Sequence, residues 1–356
     1  MADREAPPPP EDGAQDVFEE ALSRLARTGP EFGGGLANHG PMAAEALVEL
    51  GRPDAVMPWV EKYVSRLGPY PESRNRVSRD RWRAALGDFA RVGDWVALFT
   101  REIDERGWRP AIREWVPRLA PGLAAGATHG LIRTGHAARG LAARESPARR
   151  RELAEGLGYW AARFQALPGT AGSSAERLTP SRAINRVELL PASRRTRGLI
   201  TESLRRLDEF PPFATVVSLV DASGDPSRFV ADLTETMVRV YLANAGPGSI
   251  ITLIHAVTGP SAVRLLLPYV DPAASLDLLR YAWQAAAAIY AVSAQRPGAT
   301  TVGAAVGDRD SLVDRSVDSG DEHAIKFTEA CLREHAVNPN PIYLQAATHA
   351  AEHLKG

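Results

Sequence analysis

His323 and Lys326 stand three residues apart in the run DEHAIKFTEAC, residues 321–331, whose composition favours a helix. Side chains at i and i+3 share a helix face, so the imidazole and the amine point into one space. Four further histidines sit in small, apolar, helix-like contexts: LANHGPM around His39, ATHGLIRTGHA around His129 and His136, and LIHAVTG around His255. Neutral imidazole suits iron, copper, zinc and nickel. A lysine held unprotonated by burial can add carbon dioxide and become an anionic oxygen ligand. The pattern raises the hypothesis of one metal ion shared by several of these histidines, with Lys326 carboxylated. Taken singly, each histidine reads first as a core residue bonded to a carbonyl, and Lys326 as a solvated charge. Spacing along the chain does not itself show convergence. His335, His349 and His353 fall among polar helix positions and read as surface residues.

Composition narrows the chemistry. The 42 Lys and Arg against 43 Asp and Glu create no global field for nucleic acid or an anionic membrane. One cysteine, Cys331, excludes an intrachain disulfide, a cysteine zinc knuckle and an iron–sulfur cluster, so a metal site must use nitrogen and oxygen. No GxGxxG follows a strand, and P-loop, GxSxG, HExxH and paired Glu-x-x-His motifs are missing. The N-terminus, MADREAPPPPEDGAQD, lacks the basic start and apolar centre of a signal peptide. The most apolar helical run is placed at residues 281–294, too short to span a bilayer. These features predict a soluble, cytoplasmic protein without nucleic-acid or membrane partners.

The elements that must position the histidines read as helices, and the 356 residues as one large all-α domain with a central metal site. Residues 1–14 are expected to be a disordered tail and 15–356 the folded domain. A first helix starts at Asp16. Asn38 or His39 caps the next, with Pro41 in its first turn and Gly51 at its end. Helical patterns are expected over 81–92, 94–106, 110–119, 146–166 (capped by Ser146), 195–210, 228–244, 250–258, 274–294, 319–336 and 341–354. Residues 214–220 could be helix or strand, 167–179 a loop, and 297–305 a glycine-rich turn. His129, Arg133, His136 and Gly140 form one stripe. His129 and His136 would lie roughly 10 Å apart along it, a stretched pair for one ion.

The segments NHGPMAAEALVELGRPDAVMPWVEKY, THGLIRTGHAARGL, HAVTGPSAVRLLLPYV, YAWQAAAAIYAV and DEHAIKFTEACLREH together resemble the questin oxidase-like family. That family includes fungal Baeyer–Villiger-type oxidases of anthraquinone pathways and an anthraquinone ring-cleaving dioxygenase. The resemblance implies a mostly helical fold and a mononuclear non-haem Fe(II) used with O2, held by four histidines and a carboxylated lysine. By motif the lysine is Lys326, and Thr258 of HAVT is the residue that steadies its CO2-derived carbamate. Five histidines match where four ligands are implied; His39, His136, His255 and His323 are the favoured set, with His129 the alternate. Arg133 reads as a contact to the site or to a substrate anion, with a structural salt bridge as the other reading. The implied reaction is oxidative carbon–carbon cleavage or Baeyer–Villiger-type oxygen insertion on an anthraquinone-like aromatic polyketide. Trp59, Tyr63, Tyr241 and Trp283 are candidates to sandwich its rings. Family members are associated with NADPH, but the missing dinucleotide fingerprint argues against a dedicated site, leaving a partner reductase to supply reduced substrate. The alternatives are a metal-dependent hydrolase with a carboxylated lysine and a helical binding protein with an inactive site.

Overall fold

Helical periodicity is realised along nearly the whole chain in a computed structural model, which describes residues 12–172, 176–196, 198–295 and 308–356. The first half comprises α1 (Asp12–Leu25), α2 (Gly40–Glu49), α3 (Pro53–Val64), α4 (Val92–Arg106), α5 (Trp108–Leu119), α6 (His129–Ala143) and α7 (Pro147–Ala162). After the short α8 (Pro180–Ala183) and α9 (Ile200–Arg205) come α10 (Pro226–Asn244), α11 (Ile250–Leu266) and α12 (Pro272–Ser293). The chain closes with α13 (Arg309–Ser319), α14 (Glu322–Val337) and α15 (Pro341–His353). Among the described residues the only paired strands are β1 (Glu31–Phe32) and β2 (Leu36–Ala37), an antiparallel hairpin turned by Gly33, Gly34 and Gly35 at positive φ. The protein is all-α.

Four helices form an inner ring in which α2 packs on α6, α6 on α11, α11 on α14 and α14 back on α2. Other helices wrap that ring: α1 and α3 cover α2, α7 covers α6, α10 and α12 cover α11, and α13 and α15 cover α14, while α4 packs outside α7. Trp95, Trp108, Trp115, Trp160 and Trp283 are fully buried. The indoles of Trp95, Trp160 and Trp283 donate to backbone carbonyls, at Ala85 (3.0 Å), Gly122 (3.2 Å) and Val216 (2.8 Å), whereas the N–H groups of Trp108 and Trp115 are buried without a bonded partner.

Small residues let the ring close. A Cβ at Gly130 would fall 2.6 Å from both Cα and Cβ of Trp160, so α6 and α7 touch through a position that only glycine fits. Gly130→Ala is expected to destabilise the fold by about 1–3 kcal/mol, the usual range for overpacking. Chemical denaturation checks this, and an unchanged midpoint would mean that α6 and α7 are not in such close contact.

Several boundaries differ from the sequence expectation. α1 begins at Asp12, so residues 12–14 are helical, while residues 1–11 of the expected tail lie outside the described residues. Asp12 supplies an acid in the first turn, where the helix dipole favours it. The segment expected as a helix over 81–92 is two 3₁₀ turns, Trp82–Ala85 and Phe89–Arg91, separated by Gly87 at φ +74. The helix expected over 195–210 shrinks to α9 and a 3₁₀ turn, and 214–220 lies mostly in a 3₁₀ stretch, Pro211–Ser218. Among the described residues, Ile250–Tyr269 rather than 281–294 is the apolar stretch long enough by composition to cross a membrane, and 67% of its 18-residue apolar window is buried inside the fold. The expected turn at 297–305 and part of the 167–179 loop, residues 173–175, lie outside the described residues.

Candidate metal centre

Each helix of the inner ring delivers one histidine to a common point. His39 is the N-cap of α2, His129 the first residue of α6 and His323 the second residue of α14, while His255 lies one turn into α11. Each is placed by local chemistry. Asn38 Oδ1 accepts from the Gly40 amide at 2.9 Å while its amide donates to Gly29 O at 2.9 Å, which fixes the entry to α2. Asp321 caps α14 by accepting from the amides of His323 (2.8 Å) and Ala324 (3.1 Å). Ahead of α6 the chain turns through Gly126, Ala127 and Thr128, all left-handed at φ +53, +57 and +70. A β-branched threonine rarely adopts that conformation, and the strain marks the turn that aims His129.

The rings of His39 and His129 are stacked with centroids 4.6 Å apart, and that of His323 meets His39 edge-on, also at 4.6 Å. His39 Nε2 is 2.6 Å from His129 Nε2, which in turn is 3.1 Å from His255 Nε2. One nitrogen from each of the four lies within 4.8 Å of the others.

The outward-facing nitrogens decide the tautomers. His129 Nδ1 lies 2.5 Å from Gly126 O, and His255 Nδ1 lies 2.7 Å from Ile251 O. A carbonyl only accepts, so both Nδ1 atoms carry the proton and both Nε2 atoms present bare lone pairs when the rings are neutral. Nδ1 of His39 faces Glu322 and that of His323 faces Asp321, each at 3.4 Å. Those separations are long for a hydrogen bond, and both nitrogens count as buried atoms without a bonded partner. Carbonyl or carboxylate acceptors behind inward-facing imidazoles are the outer arrangement that orients metal-ligating histidines. Burial, reinforced by the charge of Lys326 and neighbouring imidazoles, holds His39, His129 and His255 well below the usual imidazole value. Three helix N-termini at one point add partial positive charge that further disfavours imidazolium. The centre is therefore a set of converging lone pairs in a positively polarised cavity. It suits a cation accompanied by an anion.

Lys326 follows His323 by one turn of α14 and is 3% exposed. Burial pushes its amine down to about 8, against the opposing pull of Glu322 and Asp321. Its charge opposes protonation of His39, His129 and His255. Thr258 is buried one turn beyond His255, with its hydroxyl donating to Ile254 O at 3.1 Å. Thr128 Oγ1 is buried without a partner.

Two of the sequence candidates go elsewhere. His136, favoured over His129 as a ligand, turns its Nδ1 to Glu45 at 2.7 Å in a separate buried polar layer. Glu45 of α2 also takes Arg139 of α6 at 2.6 Å, and Arg139 reaches Glu329 of α14 at 2.5 Å. On the same helix Glu334 accepts from Ser261 of α11 at 2.8 Å. The layer thus ties together the four helices that carry the quartet. The two histidines lie seven residues apart on one helix, and only the first reaches the centre. His136→Ala is expected to lower stability by about 1–3 kcal/mol through the lost hydrogen bond to the buried Glu45 carboxylate, which keeps Arg139, while leaving metal content unchanged, which denaturation and metal analysis of one sample would show. Arg133 also departs from its expected role at the site. It is 3% exposed and bound to Glu152 at 2.6 and 2.7 Å and to Glu155 at 2.6 Å, clamping α6 to α7.

Among the aromatic candidates, Trp283 and Tyr241 are core residues, the latter bonded to His349 Nδ1 at 2.9 Å. Trp59 and Tyr63 stack on each other beside the centre, and the Tyr63 hydroxyl accepts from the His39 amide at 2.8 Å. Sequence reasoning missed Glu322 and Asp321 behind the rings. The run Asp-Glu-His at a helix start was the available signal, since Asp caps and its neighbours then face the following side chains.

A search of curated proteins finds no match to the chain. The family described as Questin oxidase-like matches residues 36–331, a span that contains His39, His129, His255, His323 and Lys326. With most of the chain covered, the protein belongs to the Questin oxidase-like family.

Proposed function

We propose that this protein is a non-haem iron enzyme that uses dioxygen to cleave, or insert oxygen into, an anthraquinone-like aromatic polyketide. The family carries the coarser part of that reading, oxidase or oxygenase chemistry on anthraquinone-type compounds. The observation that supports a metal is the facing of bare Nε2 lone pairs on His129 and His255 at 3.1 Å, with burial opposing the proton that could otherwise sit between them. A cation relieves that repulsion. His39, His129, His255 and His323 would hold it, all through neutral nitrogen, a donor set suited to iron, copper, zinc or nickel. Iron(II) there would supply the one-electron chemistry that triplet dioxygen requires.

The chain's own residues prepare the site. Burial keeps a substantial fraction of the Lys326 amine unprotonated near pH 8, the form that adds carbon dioxide. The resulting carbamate would place one negative charge where three helix N-termini favour an anion. Thr258 can serve it by rotating its hydroxyl away from Ile254 O, and buried Thr128 Oγ1 offers a second donor. A partner reductase would supply the electron-rich hydroquinone form of the substrate, and the cytoplasm is the compartment in which we place the reaction.

Oxygen-electrode measurements on protein reconstituted with Fe(II), given anthrahydroquinone, test the proposal. Uptake that depends on added iron and yields a cleaved or oxygenated product is expected. Equal uptake by the metal-free protein would show that the substrate merely autoxidises. Hydrolysis supported by zinc, without uptake, would favour the hydrolase instead.

A further inference from the structure

A cleft of about 240 Å³ opens between the C-terminal part of α3 and the turn leading into α14. Trp59, Lys62, Tyr63, Ser65 and Arg66 form one side of it, and Gly320 and Gly356 the other. Its floor borders the metal centre: the Tyr63 hydroxyl accepts from the His39 amide at 2.8 Å, and Gly320 precedes the Asp321–His323 run that supplies a ligand. Arg66 lies 3.3 Å from Glu322, whose other oxygen faces His39 Nδ1 at 3.4 Å, so a single carboxylate separates the cleft's guanidinium from the quartet.

The lining combines two kinds of recognition. Trp59 presents a flat, half-buried face, backed by the buried Tyr63 ring stacked behind it with centroids 4.6 Å apart and planes within 16°. Trp59 is held in plane by donating its indole N–H to Gly320 O at 2.9 Å. Lys62 and Arg66 are exposed at the lip, and the Arg66 guanidinium lies 5.5 Å from the Tyr63 ring centre. A half-buried indole face such as that of Trp59 binds planar rings by stacking, and cations beside it bind oxyanions.

We propose that this cleft is a binding subsite for a planar polycyclic aromatic anion, stacked on Trp59 with its oxyanion held by Arg66 and Lys62. This deepens the oxygenase reading by naming where the substrate docks and which ionisation state it takes. An ionised phenol is also the more electron-rich form of such a ring.

Binding to metal-free, full-length protein without dioxygen separates this proposal from the proposed chemistry. Titration calorimetry would use anthraquinone-2-sulfonate, a permanent anion, and neutral 2-(hydroxymethyl)anthraquinone. The double variant Lys62→Gln, Arg66→Gln is expected to weaken the sulfonate at least about tenfold and the neutral probe less than about twofold. Trp59→Ala is expected to weaken both probes several-fold. No binding of the sulfonate to the wild-type protein, or equal binding to the wild type and the double variant, would overturn the subsite. If Trp59→Ala fails to fold, the double variant decides alone. Binding that follows the expected pattern in a protein with no oxygen uptake would keep the subsite and remove the oxygenase.

Discussion

His129→Ala protein is expected to leave purification with little metal, while His136→Ala protein keeps its full complement. The two residues share a helix and a sequence motif, yet the fold gives them different partners. His129 Nε2 lies 2.6 and 3.1 Å from its counterparts in His39 and His255, whereas His136 is bonded to Glu45 in the ionic layer. Loss of groups behind a metal's ligands typically costs about 10–100-fold in affinity, so removing a ligand should cost at least about 100-fold. His39→Ala, His255→Ala and His323→Ala should behave like His129→Ala, because each removes one of four converging nitrogens. Chelator competition reads this affinity directly. Metal retained by His129→Ala and lost from His136→Ala would show that the ion sits in the other layer.

Lys326→Ala is expected to abolish turnover, and added carbon dioxide should not restore it. The reason is the setting of the amine. It lies among imidazoles and helix N-termini, where a cationic ammonium is the wrong charge and a carbamate the right one. The expected spectroscopic sign is a carbamate carbon resonance in protein incubated with ¹³C-labelled carbonate, present in the wild type and missing from the variant. Carboxylation should slow as pH falls through about 8, because protonation removes the nucleophilic amine. The linkage has a definite sign. Burial lowers the folded value to about 8 from 10.5, so between those limits the unfolded chain binds more protons than the folded one. Metal-free protein should therefore gain stability as pH rises from about 8 to 10.5, and the penalty should be present in full below that window. Lys326→Met, which buries no charge, should flatten this part of the profile. A Lys326→Ala enzyme with wild-type rates would remove the carbamate from the account.

Much of this was legible in the sequence for physical reasons that differ from residue to residue. Helices were readable because apolar periodicity and caps are local: Ser146 does accept from the Arg149 amide at 3.3 Å, and Gly51 does end α2 at φ +80. The 3₁₀ turns at 82–91 look helical in sequence because apolar residues flank Gly87 on both sides. The metal-centre histidines stood out by their small neighbours, which is a packing signature. Small residues at Gly130, Gly135 and Gly259 let helices close around them, a Cβ there meeting the adjacent helix or Thr128 at 2.6–3.1 Å. The choice between His129 and His136 was not legible. It depends on a left-handed turn that starts at Gly126 but continues through Ala127 and Thr128, residues that do not signal it, and on a carboxylate, Glu45, that lies 91 residues away in sequence from His136. Arg133 was ambiguous for the same reason, since its partners Glu152 and Glu155 arrive from the next helix.

Metal analysis of wild-type protein purified without chelator bears most directly on the claim that four imidazoles share one ion. The account predicts about one metal per chain, iron when expressed with iron available, removable by chelation and restored in equal stoichiometry. Two zinc ions per chain, or none under any loading condition, would contradict it.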